Sequence, residues 1–86
     1  MEFTIGQVVF SKAGRDKGDV FVVYDVNGEY LYLVDGVGRP LERPKKKKKM
    51  HVQPTKEVIL IKGYNKNADF RAALKRFADK REENNG

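Results

Sequence analysis

A chain of 86 residues makes one domain, near the lower limit of what folds on its own core. It buries only about 60–65% of its unfolded surface, which leaves little room for a deep catalytic cavity. Hydrophobic residues make up 40%, enough for a packed core and too many for wholesale disorder. Cysteine is absent, which excludes disulfide staples, thiolate metal sites and cysteine nucleophiles. The formal charge is +6, but without the five lysines Lys45 to Lys49 the remaining 13 basic residues face 12 acidic ones. Any long-range attraction to polyanions therefore originates in that run.

In chain order, the first half reads as β structure. "MEFTIG" (1–6) has an acid at position 2 and no apolar stretch behind it, so no secretory signal is expected. "TIGQVVFSK" (4–12) is rich in β-branched and aromatic residues and predicts the first strand. "AGRDKGD" (13–19) is a polar loop in which Gly14 and Gly18 supply positive φ. "VFVVYDV" (20–26) is the second strand, the longest apolar run within it being far too short to span a bilayer. Asn27-Gly28 signals a tight hairpin, and "EYLYLVDG" (29–36) returns antiparallel. Leu31 and Leu33 fall on one face of that strand, Tyr30, Tyr32 and Val34 on the other.

Residues 37–49 are basic and interrupted by Pro40 and Pro44, which predicts an edge segment or ordered loop. "MHVQ" (50–53) reads as a fourth strand ended by Pro54, and "EVILI" (57–61) as a fifth or a connector. The period then changes. Phe70, Ala73, Leu74 and Phe77 fall at i, i+3, i+4 and i+7, one face of a helix of about 13 residues. Asn67 is its expected N-cap, and 81–86 is expected to fray. The expected organisation is a barrel over 1–62, containing the basic loop 37–49, with the 63–86 helix and tail packed on the same domain. The protein reads as soluble and intracellular.

Catalytic chemistry finds no constellation. His51 is the one histidine and Ser11 the one serine, and no His/Asp/Glu cluster has metal-ligand spacing. "GRDKGD" (14–19) lacks the Lys-Ser/Thr ending of a phosphate loop. The expectation is a non-enzyme without cofactor or metal. The lysine run admits three readings: a solvated segment, a localisation signal, or the wall of a folded binding site. Strand-like sequence on both sides favours the third, because an anchored run costs less entropy to place against a polyanion. Lys12, Arg15 and Lys17 border the first loop, and Arg39 and Arg43 precede the run. Arginine adds bidentate phosphate binding and stacking that lysine lacks. Tyr24, Tyr30 and Tyr32 read as half-buried packing in preference to base-stacking platforms, and the helix cations Arg71, Lys75, Arg76 and Lys80 as its solvated side.

"IGQVVFSKAGRDKGDVFVVYDVNGEYLYLVDG" (5–36) resembles a KOW motif, with Gly18 at the glycine that marks it. With "VDGVGRPLERPKKKKKMHVQPT" (34–55) added, the likeness extends to the family of the archaeal and eukaryotic large-subunit ribosomal protein fourteen-e and its small bacterial KOW-domain relatives. It covers roughly residues 5–58; 61–80 have no counterpart in it. The resemblance implies an SH3-like β-barrel that binds structured RNA, chiefly ribosomal RNA of the large subunit. Its contacts would be Lys12, Arg15, Lys17, Arg39, Arg43, Lys45, Lys46, Lys47, Lys48 and Lys49. It implies a cytoplasmic, ribosome-associated protein with neighbouring ribosomal proteins as further partners; a monomer when free is the default expectation. The rival expectation is a protein-interaction barrel that binds an acidic partner, or a transcription or translation factor.

Overall fold

Both faces of the sheet carry apolar side chains, and that sets the architecture. The computed structural model describes residues 2–85, with side chains through 82. Five strands, β1 (Gln7–Ser11), β2 (Val20–Asn27), β3 (Tyr30–Val34), β4 (Lys45–Lys48) and β5 (Val52–Val58), precede one helix, α1 (Asn67–Asn85). All pairings are antiparallel, in the order β4-β3-β2-β1-β5. The two edge strands are thus neighbours in sequence, joined only by a 3₁₀ turn at Lys49–His51. A flat sheet would hold its edges about 19 Å apart, four spacings of about 4.8 Å. A three-residue 3₁₀ turn advances only about 6 Å. The sheet must therefore curl until its edges adjoin, which gives the small SH3-like barrel expected. Register shifts between Val23 and Asp25 in β2, and opposite Gln7–Val9 in β5, supply the bends.

Inside the barrel lie Val9, Phe21, Val23, Leu31, Leu33 and Val52, with Phe3 at one end. On the outer face Val8, Val22 and Val34 pack beneath Phe70 and Leu74 of α1, with Phe77 half-buried beside them. Two covered faces explain why 20–23 is unbroken apolar sequence rather than an alternation. Phe70 is fully buried, edge-on to Tyr64 at 5.2 Å and to Tyr24 at 6.1 Å. The predicted stripe of α1 is the face that docks.

Several local expectations change. The hairpin loop is Gly28-Glu29, between the paired residues Asn27 and Tyr30. Gly28 has φ +61° and Glu29 does not have positive φ, the sign pattern of a II′ turn, and Asn27 pairs with Tyr30, so Asn27 is a strand residue and not a turn residue. The lysine run is an edge strand and not a loop: Lys45–Lys48 form β4, and Lys49, Met50 and His51 make the 3₁₀ turn. Lysine is a poor strand former, but the open edge of β3 needs a partner and lysine suits an edge strand. Pro54 lies within β5, opposite Val9, tolerated because β5 has no other neighbour. The helix runs 19 residues, through the segment expected to fray; Gly86 lies outside the described residues. Asp69, not Asn67, caps it: Asp69 Oδ2 accepts from the amides of Asn65 and Lys66, each at 3.3 Å. Asn67 instead ties α1 to the 35–44 loop, accepting from Leu41 N at 2.8 Å and donating to Glu42. That loop lies so close that a Cβ at Gly36 would collide with the Asn67 carbonyl.

Candidate nucleic-acid interface

Strand pleating divides the lysine run in two. Lys45 and Lys47 stand opposite Leu33 and Leu31, on the interior face of the barrel at its open edge. Both heads turn to Asp16, in the loop between β1 and β2. Lys47 Nζ lies 2.9 Å from Asp16 Oδ1 and 2.9 Å from the Ala13 carbonyl, and Lys45 Nζ lies 3.9 Å from Asp16 Oδ2. Ser11 Oγ, buried, donates to the same Asp16 Oδ1 at 2.7 Å. Burial pushes the Asp16 carboxyl up, but hydrogen bonds from Lys47 and Ser11 and the charges of Lys47 and Lys45 outweigh it. The net result is a carboxyl below its ordinary value, ionised throughout the neutral range. Two of the five lysines are therefore committed to the fold.

Lys46 and Lys48 project from the opposite face, beside Tyr32 and Tyr30. The Lys46 ammonium sits 4.4 Å from the Tyr30 ring centroid, a cation–π contact that holds it in place. Tyr30 and Tyr32 are half-buried and Tyr24 packs on the helix, as expected of packing residues. Among the described residues, Lys46, Lys48 and Lys49 form no ion pair with a carboxylate.

The remaining expected cations fall into two groups. Lys12, Lys48 and Lys49 line one cleft of about 410 Å³, whose floor is Phe3 and Val52, whose rim carries the exposed Met50 and whose further wall is Gly28-Glu29. Two backbone bonds frame it: Lys12 N to the His51 carbonyl at 2.8 Å, and Lys49 N to the Glu29 carbonyl at 2.9 Å. Arg15, Arg39 and Lys45 line a second cleft of about 290 Å³, shared with Asp16, Asp19 and Asp35. There three carboxylates balance three cations, whereas the first cleft carries three lysines against Glu29 alone. Attraction for a polyanion is thus concentrated at the first cleft. Lys17 and Arg43 are exposed at the margins, in neither cleft.

Gly14 and Gly18 carry the positive φ expected, +86° and +91°, and shape the loop that brings Asp16 to β4. Ser11 N and Gly18 N close it, bonding to Asp19 O and Ser11 O at 3.0 and 2.9 Å. Sequence reasoning did not find Asp16, Met50, Phe3 or Glu29. Asp16 and Lys47 are 31 residues apart, and nothing local signals their meeting. Met50, 69% exposed beside five lysines, was the one readable signal of an apolar element here.

No helix among the described residues is long and apolar enough to cross a membrane. Compared with known proteins, the chain matches no family model and no curated protein.

Proposed function

We propose that this protein is a non-catalytic RNA-binding barrel, and that its RNA is ribosomal RNA of the large subunit or its precursor. The observation that carries the reading is the placement of Lys12, Lys48 and Lys49 around one backbone-framed cleft, with Lys46 held alongside by Tyr30. Cations fixed by strands and turns meet phosphates without first losing the freedom of a loose tail. On the second strand face, Lys46 and Lys48 stand about 6.6 Å apart along β4, at about 3.3 Å per residue. Ammonium groups supply phosphate contact without reading bases, so affinity comes chiefly from counterion release. The KOW-like loop and the Pro-Lys segment favour RNA over DNA and point to the ribosome, hence to the cytoplasm.

Fluorescence anisotropy with a large-subunit RNA fragment, titrated over salt, tests this. If about four cations each neutralise one phosphate, log K falls against log salt with a slope of about −3. Sucrose-gradient sedimentation should place the protein with large subunits or their precursors, and nuclease treatment should release it. Absence of binding at low salt, with the protein at the top of the gradient, refutes the reading.

A further inference from the structure

Phosphate binding needs cations and no apolar floor, yet the lysine cleft has one. Phe3 and Val52 are almost fully buried beneath it, while Met50 stands 69% exposed above them. We infer that this cleft takes one unpaired nucleotide of the bound RNA, its base against Met50 and its phosphate on Lys12, Lys48 and Lys49. This rests on the RNA reading above and adds to it a preference for bulged or single-stranded sites over continuous duplex.

The geometry points this way on three counts. A volume of about 410 Å³ lies in the range of small-ligand sites. The walls are held by backbone bonds at Lys12 and Lys49, so the cleft exists before its ligand arrives. The charge is also asymmetric: three lysines line it together with Glu29, on the hairpin tip. A carboxylate repels a phosphate but accepts hydrogen bonds from the amino edge of a base. The lysines and Glu29 therefore orient a nucleotide, phosphate at one end and base donors at the other. A paired base cannot enter, because its edge and both faces are already occupied in the stack.

The test compares a fully paired RNA hairpin with the same hairpin carrying one bulged guanosine, against wild-type protein and Met50→Ser. Wild type should bind the bulged hairpin about five- to tenfold tighter, the low end of base-stacking effects since methionine is not a ring. Met50→Ser should abolish that ratio, bringing the bulged hairpin down to the affinity of the paired one, with the salt slope set by the lysines unchanged. Equal wild-type affinity for both hairpins, or a ratio that survives Met50→Ser, overturns the inference while leaving RNA binding intact. In parallel, ¹³C-methyl methionine spectra should show the Met50 methyl shifted upfield by guanosine 5′-monophosphate, through the ring current of the base, and not by ribose 5-phosphate. The same shift from both ligands makes this a phosphate site only and overturns the inference. A response to a poly-glutamate peptide with neither hairpin bound overturns both this inference and the RNA reading.

Discussion

Asp16→Asn removes one charge and little volume from the point where the first loop meets the lysine strand. The Asp16 and Lys47 side chains are 17% and 10% exposed, so the pair is well shielded from water. Ser11 and Lys47 both donate to Oδ1, so an amide oxygen there still accepts from both, but as neutral bonds, and Lys47 and Lys45 lose the carboxylate charge they face. An exposed ion pair contributes about 0–1 kcal/mol, and breaking a buried one costs about 3–5. A hydrogen bond to a charged group is worth about 1.5–3 kcal/mol. A shielded pair at the mouth of a barrel falls between, at about 2 kcal/mol. For a domain of this size each kcal/mol moves the melting temperature by about 4–8 °C, so Asp16→Asn should melt about 8–16 °C below wild type. Adding Lys47→Met to Asp16→Asn should recover most of the loss, since the stranded charge is gone and its stem is replaced by apolar volume. Circular-dichroism melts of wild type, both single variants and the double variant at neutral pH give the full cycle. An Asp16→Asn melt within about 2 °C of wild type would show that the pair behaves as an exposed one.

The same carboxylate sets an acid dependence. Its folded pKa lies below its ordinary value of 3.8, so its contribution is complete above that value and is lost as pH falls through the folded pKa. The stability difference between wild type and Asp16→Asn should therefore be constant from neutral pH to about 5 and narrow below about 3.8; a difference that persists undiminished in strong acid contradicts this. The two halves of the run should separate experimentally. Lys46→Ser, Lys48→Ser and Lys49→Ser together should leave the melting temperature near wild type and flatten the salt slope by about 2, at about 0.7 per contact. Lys45→Met with Lys47→Met should lower stability and leave the slope nearly unchanged, and the opposite pattern in either variant would dismiss the division. Gly18→Val should destabilise by about 1–3 kcal/mol through its φ of +91°, although a Cβ there meets no atom within 4 Å; an unchanged melt would show that the loop relaxes at no cost.

Much of the fold was legible because it rests on local chemistry. Val20 to Val34 carry strand, turn and strand in one stretch, and the Phe70–Phe77 spacing marks the docking face of α1. What escaped was non-local. The edge of β3 recruited Lys45–Lys48 into the sheet against their own propensity, and no pattern within four identical residues announces that. Asn27 lost the turn to Gly28 because strand pairing extended one residue further than the dipeptide signal implied. The expected cation set contained the residues of the lysine cleft but also Lys45 and Lys47, since net charge does not distinguish an ammonium facing water from one facing a carboxylate. With Lys47 inside the Asp16 network, replacing the whole run should lower stability as well as binding.

A strand of four identical residues raises a question of register that its own sequence cannot answer. Sliding β4 by one residue along β3, so that Lys46–Lys49 pair where Lys45–Lys48 do, would put a lysine opposite each partner just as before, so side-chain pattern gives almost no preference. The register must be set from outside. On one side Pro44 stops the strand from growing backwards as a hydrogen-bond donor. On the other, the 3₁₀ turn and the Lys49 N to Glu29 O bond fix where β4 ends against the hairpin. Between them Asp16 accepts Lys47 and reaches Lys45, so a slip would force an ammonium out of its only shielded carboxylate. The internal pair and the external lysines are then two sides of one device. Because the pleat alternates, holding Lys45 and Lys47 inward obliges Lys46 and Lys48 to face outward at fixed spacing. A cationic surface built this way is as well placed as the carboxylate that anchors its other face.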